Sequence, residues 1–447
     1  MIWPAVHPDA TVTVAGATGW ARRHPRRWAN QAARVLMGLL GGALLLACGG
    51  GDGGSGDDTT ATALEPTVLN WTYPADTASA DWPWALPAHM PAPRVPADNP
   101  MNAAKVALGR LLFYDPRLSG DGSLSCASCH VQSRAFSDAL ARPTGITGQV
   151  HPRNSMALVN VAYNATQTWA NPALATLERQ ITNPVFGTEP VEMGVDESSA
   201  HAVLQRLANA TDVDYVAHFQ QAFTDSTNNT GDLLTWEYVL KAISAFERTM
   251  ISADSRYDRH VQQRAQLTLQ ELNGLQLFTT ARCVQCHAPP HFGGQFVSVQ
   301  TSALAVRYHN VGLYNLNGQG AYPKDNQGAL DITGNLADMG AFRAPTLRNI
   351  EVTGPYMHDG SVATLQEAVA IMAGGGRNVT NGPNAGDGRT NPYKSPLLVD
   401  QGLSTQEQAD LVAFLKTLTD EEFLGNPALS NPFAAPQGHA ITSFPLD

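Results

Sequence analysis

Two Cys-X-X-Cys-His motifs, Cys126-Ala127-Ser128-Cys129-His130 and Cys283-Val284-Gln285-Cys286-His287, use four of the chain's five cysteines. Two thiols at that spacing form thioethers to the two vinyl groups of one porphyrin, and the adjacent imidazole then lies beneath the iron. The chain is therefore expected to carry two covalently bound haem c groups, with His130 and His287 as axial ligands. Cys-X-X-Cys also makes redox dithiols and half zinc sites. Neither explains a histidine directly after the second cysteine in both copies.

The fifth cysteine, Cys48, obeys a different logic. It ends an apolar run from Val35 to Ala47 that follows Arg22, Arg23, Arg26, Arg27 and Arg34. The run is too short to span a bilayer comfortably, and its basic flank is that of a secretion signal. Leu45-Leu46-Ala47-Cys48 resembles a bacterial lipobox, which implies cleavage before Cys48 and lipid on its sulfur; an ordinary signal peptide cut elsewhere is the alternative. Either way the mature protein is expected outside the cytoplasm, periplasmic and held to the outer membrane by the lipid alone. The long stretch ahead of the basic cluster leaves room for a true start codon downstream of Met1. Gly49-Gly50-Gly51-Asp52-Gly53-Gly54-Ser55-Gly56-Asp57-Asp58 then reads as a flexible tether without a core. The formal charge of −11 becomes more negative once the leader's arginines are removed, which excludes nucleic acid as a natural partner.

The remaining length suits two domains with one haem each, a mostly α fold of two cytochrome c-like units. The expected division is 1–48 lipoprotein signal peptide, 49–98 linker and N-terminal arm, 99–262 N-terminal haem domain, 263–425 C-terminal haem domain and 426–447 extension. Apolar spacing predicts helices over Asn102–Tyr114, Asp232–Ser252 and Thr268–Phe278. A closing helix over Leu403–Leu418 is marked by a capping box of Ser404 and Glu407. The Gly-, Asn- and aromatic-rich stretch 291–343 reads as ordered loop wrapped on haem.

Leu108-Gly109-Arg110-Leu111-Leu112-Phe113-Tyr114-Asp115, Leu118-Ser119, Phe342-Arg343-Ala344-Pro345-Thr346-Leu347-Arg348-Asn349 and Pro355-Tyr356-Met357-His358-Asp359-Gly360 together resemble the bacterial dihaem cytochrome c peroxidase and MauG superfamily. The resemblance runs from about Asn99 to Leu418. Leu158-Val159-Asn160-Val161-Ala162-Tyr163, Thr168-Trp169-Ala170-Asn171-Pro172 and His309-Asn310-Val311-Gly312-Leu313-Tyr314-Asn315-Leu316 are similar to its MbnH-type branch. Peroxidases of the superfamily usually carry Phe-Trp-Asp-Gly-Arg where this chain has Thr168-Trp169-Ala170-Asn171-Pro172.

The resemblance implies unequal haems, the first reacting with peroxide and the second transferring electrons. Met372, fourteen residues after His358, falls where the peroxidases carry an axial Met; the alternatives are a core role for Met372, with Met357 or Met339 as ligand. Many peroxidases place a removable distal His sixteen residues after the proximal one, and Ile146 stands there, so the first iron is expected to be five-coordinate. His151 is either an alternative distal ligand or, more in keeping with its place beside Pro152, a surface or hydrogen-bonding residue. Breaking the peroxide bond requires a carboxylate near the iron. Glu192 matches the family's distal Glu and Gln180 its hydrogen-bonding Gln, with Glu178 and Glu189 as competing carboxylates. Trp169 falls where the family places an indole between the haems. A calcium ion is implied at Asn154, Thr353 and Pro355, the last two through backbone carbonyls.

Three functions follow as expectations. In the first, hydrogen peroxide produces a high-valent dihaem state that oxidises a partner protein, which for this branch means a tryptophan of a copper-binding MbnP-like protein converted to kynurenine. In the second, a dihaem peroxidase reduces peroxide to water with electrons from a small cytochrome or cupredoxin. The third is a plain dihaem electron carrier, which needs neither an open iron nor a distal acid.

Overall fold

The computed structural model describes residues 11–14, 64–72, 82–223 and 232–434. Cys48, its lipobox and the Gly49–Asp58 tether lie outside the described residues. Among those described, no helix is long and apolar enough to cross a membrane.

The architecture is mostly helical and uses the same device twice. Ahead of the first haem motif, helix Ala103–Tyr114 starts where the Asn102 side chain accepts from the Lys105 N–H, and it packs against helix Trp236–Arg248. Ahead of the second, helix Leu269–Thr280 opens on a Thr268–Glu271 capping box and packs against Thr405–Lys416. Each crossing is closed by a glycine. A Cβ on Gly109 would overlap the Ala242 carbonyl oxygen, and one on Gly274 would overlap that of Asp410. Phe246 and Phe414, both fully buried, fill the space beside these contacts.

The closing helix carries the predicted Ser404–Glu407 capping box, with Ser404 as its N-cap. The helix expected over Asp232–Ser252 is shorter, Trp236–Arg248. Thr235 is extended at its N-cap, and beyond the Thr249 C-cap the chain turns, with the Met250 N–H donating to the Glu247 carbonyl. The apolar residues Leu233 and Met250 that lengthened the predicted pattern still face the core, but from turns. Stretch 291–343 is mostly irregular, as expected, with short elements at Ala303–Val306, His309–Asn310, Leu330–Thr333 and Ala341–Phe342.

Several segments tie the two halves together. Strand Leu69–Thr72 lies between Thr11–Val14 and Ala303–Val306 in an antiparallel sheet, with Leu69 paired to Val306. Arg94 of the arm donates to the carbonyls of Ser298 and Thr301. Helix Arg256–Val261, at the end of the predicted first domain, sets Tyr257 edge-on against Phe292 and Phe414 of the second half. Conversely, Phe423 and Leu429 return to the first-half core, where the Tyr114 hydroxyl donates to the Leu429 carbonyl at 2.7 Å. At the seam, buried Asp420 accepts from Ser252 Oγ and from the N–H groups of Ala253 and Asp254.

Candidate haem and peroxide site

Each Cys-X-X-Cys-His motif forms one 3-10 turn, Cys126–Ser128 and Cys283–Gln285. In both, the N–H of the histidine donates back to the first cysteine's carbonyl, at 3.0 Å for His130 and 2.9 Å for His287. The two turns therefore present the same set of groups. The His130 Nδ1 lies 2.7 Å from the Phe136 carbonyl, and the His287 Nδ1 lies 3.1 Å from those of Phe292 and Pro345. A ring that donates from Nδ1 keeps the Nε2 lone pair for a metal, the usual arrangement of a histidine ligand. Burial lowers the pKa of His130, and pushes that of His287 down to about 4, so both rings are neutral donors.

The cysteines fit thioether attachment and not thiolate chemistry. Burial raises all four thiols above their ordinary range, Cys129 and Cys283 to about 11. A redox dithiol or a zinc site needs the opposite, a stabilised thiolate. Among the described residues, no group of three or more His, Cys, Asp and Glu side chains is placed to hold a metal ion. An imidazole beside two half-buried thiols, within an apolar setting, suits a covalent haem.

Cys283, Cys286 and His287 open onto a large apolar cavity whose walls also include Met372, Met357, His358, Phe342 and Trp169. Met372 comes from helix Leu365–Ala373. Met339 does not line this cavity: it packs among Tyr314, Tyr322 and Phe342, which removes it as a fallback ligand. His358 was overlooked as a wall residue, although its His-Asp-Gly context was visible in sequence. Its ring stacks on Phe342 with centroids 3.6 Å apart, its Nε2 has no hydrogen-bond partner among the described residues, and burial pushes its pKa down to about 4.

Asn154, Thr353 and Pro355 line the same cavity. The Asn154 Nδ2 donates to the Leu140 carbonyl at 2.8 Å, leaving Oδ1 available as an oxygen ligand. Its own backbone carbonyl accepts the Trp169 indole N–H at 2.9 Å. Neutral oxygens of this kind, completed by water, fit a hard cation such as calcium.

Around the first motif, Glu192 is half-exposed and close enough for its charge to act on His130, Cys126 and Cys129. The competing carboxylates are placed differently. Glu178 is engaged by Arg248 and Asn99 at 2.6 Å each; burial works against its charge, but these partners outweigh it and hold the carboxyl below its ordinary pKa. Glu189 is exposed. Gln180 ends the one-turn helix Leu177–Gln180, half-buried. Ile146 does not hang free as a displaceable loop would. Its N–H donates to the Glu192 carbonyl at 2.9 Å, and its side chain fills the space a Cβ on Gly194 would need. The hairpin closed by the Thr144–Val150 bridge is thereby fastened to the segment bearing Glu192.

Comparison with known proteins agrees with this geometry. Residues 103–266 match the family model described as di-haem cytochrome c peroxidase. The chain is 32% identical to the cytochrome c551 peroxidase of Nitrosomonas europaea over 340 residues, covering 75% of this chain and 86% of that protein. It is 30% identical to the methylamine utilization protein MauG of Methylorubrum extorquens, over 73% of this chain and 81% of that one. A crystal structure of a MauG-like protein associated with microbial copper homeostasis superposes with a TM-score of 0.75 at 48% identity, covering 78% of this chain and 99% of the other. With two c-type haem motifs and this relationship, the chain belongs to the dihaem cytochrome c peroxidase and MauG family and is a MauG-like dihaem peroxidase.

Proposed function

We propose that this enzyme uses hydrogen peroxide at its first haem and delivers the oxidising equivalents, through Trp169 and the second haem, to a residue of a partner protein. A ferric haem with one open position supplies the peroxide-binding and redox chemistry. The chain's own contribution to that step is Glu192, which moves a proton between the two peroxide oxygens, with Gln180 as a hydrogen-bonding neighbour. The observation that carries the proposal is the fastened hairpin. Ile146 offers no ligand, and its bond to the Glu192 carbonyl keeps the loop from swinging a ligand in or out. A haem held by His130 would therefore keep a position open to peroxide without a ligand having to leave.

His130 and His287 would each hold one haem iron, and Met372, in the cavity wall with His287, would supply a thioether to the second. Trp169, in the same wall, is the relay. Asn154 Oδ1 and the carbonyls of Thr353 and Pro355 would hold a calcium ion, which would stiffen the segment that holds the indole. The 48% identity to a MauG-like protein associated with microbial copper homeostasis supports a partner that handles copper; a tryptophan of that partner is the residue we propose to be oxidised. We assign the protein to the periplasm, anchored through Cys48, with the two haem domains divided near residue 262.

The second reading, peroxide reduction with electrons from a small donor protein, is favoured by one observation, the thioether of Met372 facing the second haem's cavity, since such a ligand suits a higher-potential electron-entry haem. Peroxide consumption with and without reduced cytochrome or cupredoxin separates the two. The proposal expects reaction with stoichiometric peroxide to proceed without donor. Turnover that begins only when donor is present would favour the second reading.

A further inference from the structure

We infer that His151 is a positioning residue for the Glu192 carboxylate. The inference rests on the assignment of Glu192 as the acid-base group. The backbone of Glu192 is held by the hairpin already described: its carbonyl accepts from Ile146, and the N–H of Val191 donates to Gln149 Oε1 at 2.9 Å. The side chain needs a separate restraint, because it is half-exposed and free rotation would carry the carboxylate away from the haem.

His151 stands at the base of that hairpin, where its N–H donates to the Pro143 carbonyl at 2.8 Å. Its Nε2 lies 3.4 Å from Glu192 Oε1, with the two side chains 25% and 37% exposed. The Arg153 N–H donates to its Nδ1 at 3.0 Å. The Arg153 carbonyl is also 3.0 Å from Nδ1, a contact that would need the proton there and leave the Nε2 lone pair facing a carboxylate, so the Glu192 side selects the tautomer that accepts the Arg153 N–H. A ring with its lone pair on Nδ1 carries its proton on Nε2, the nitrogen facing the carboxylate. The ring is thus oriented from one side so that it offers a donor to Glu192 on the other.

The separation is longer than a tight hydrogen bond, as catalytic contacts often are before substrate draws them together. Of the other acidic groups near the first motif, Asp138 is engaged by the Ser155 hydroxyl at 2.7 Å and the Leu140 N–H at 2.9 Å, and Glu247 is buried on the Cys126 side. Among the described residues, His151 is the side chain found within 4 Å of the Glu192 carboxylate that can serve as an ion-pair or hydrogen-bond donor. The same geometry disfavours His151 as a distal haem ligand, since the nitrogen it would use already faces Glu192.

The test is stopped-flow mixing of the diferric holoprotein with hydrogen peroxide, for wild type and for His151→Leu, His151→Gln, Glu192→Gln and the Glu192→Gln/His151→Leu pair. His151→Leu should slow the reaction roughly tenfold, the scale of a hydrogen bond to a charged group. His151→Gln, which keeps an N–H donor, should recover most of that loss, which a merely structural role would not predict. In the Glu192→Gln background, His151→Leu should add little. A wild-type rate for His151→Leu, or losses that multiply in the double variant, would overturn the inference. So would loss of a low-spin signal from the resting protein in His151→Leu, since that would make His151 a ligand. If Glu192→Gln alone reacts at the wild-type rate, it is the Glu192 assignment that falls, and the two failures are told apart.

Discussion

The indole N–H of Trp169 donates to the backbone carbonyl of Asn154 at 2.9 Å, while the Asn154 N–H donates to the His358 carbonyl at 2.8 Å. One residue therefore couples the proposed relay to the His358 segment of the second haem's cavity, and its side-chain Oδ1 is the proposed calcium ligand. Replacing Trp169 with Phe removes the oxidisable indole and this hydrogen bond together. Trp169→Phe should keep both haems, measured by pyridine haemochrome content, and weaken the near-infrared absorbance expected after stoichiometric peroxide if the two haems share the oxidising equivalents. Near-infrared absorbance equal to wild type would exclude the indole as relay.

Calcium removal tests the same coupling from the other side. Chelation of the holoprotein should leave the covalent haems in place and lower the near-infrared signal as Trp169 loses its anchor, with recovery on adding calcium. A protein that binds no calcium in equilibrium dialysis would remove the Asn154, Thr353 and Pro355 site.

Ligation should be unequal. The resting diferric protein is expected to show one high-spin and one low-spin haem in electron paramagnetic resonance, and Met372→Ala should alter the low-spin signal alone. If that signal is unchanged, Met357, the other methionine of the cavity wall, becomes the ligand to test.

How much of this was legible in sequence depended on the range of the interaction. The haem turns and the Ser404–Glu407 capping box are local: the residues that make each are at most four apart, so spacing alone reveals them. The helix pairs were half legible. Their apolar faces showed in the periodicity, but the need for Gly109 and Gly274 arises only where a second helix crosses. Ile146 was readable as the absence of a ligand, whereas its grip on the Glu192 backbone spans distant segments and needed coordinates. The same holds for Arg248 engaging Glu178, which disqualifies a carboxylate that sequence position could not. Leu233 and Met250 misled the helix length because burial continues through turns as well as helices.

Buried Glu247 sets a pH dependence. Desolvation pushes its carboxyl up to about 8, Arg248 opposing and Glu178 adding to the rise. The folded state thus holds a proton that the unfolded chain releases near its ordinary pKa, so this contribution to stability is fully present below about 4.5 and is lost as pH rises through about 8. Thermal unfolding of the holoprotein should show Glu247→Gln gaining stability relative to wild type as pH goes from 6 to 9. A constant difference between the two would mean the carboxyl is already ionised in the folded state.

Helix crossing can be tested by a single methyl. Gly274→Ala should cost about 1–3 kcal/mol of stability, typical of overpacking, because the Asp410 backbone stands in the way. Denaturation of the holoprotein at fixed pH reads this directly, with an exposed control at Gly425, where a Cβ meets nothing within 4 Å and the backbone is not left-handed. A comparable loss at both positions would point to glycine backbone effects and not to the crossing.

The most direct test of the account is to mix the diferric enzyme with stoichiometric hydrogen peroxide and a copper-binding candidate partner, sought first among the products of neighbouring genes, then map the partner by mass spectrometry. The account predicts an oxidised tryptophan on the partner, formed without any added electron donor and diminished in Trp169→Phe. An unmodified partner, together with rapid peroxide consumption only when a reduced cytochrome or cupredoxin is supplied, would contradict it.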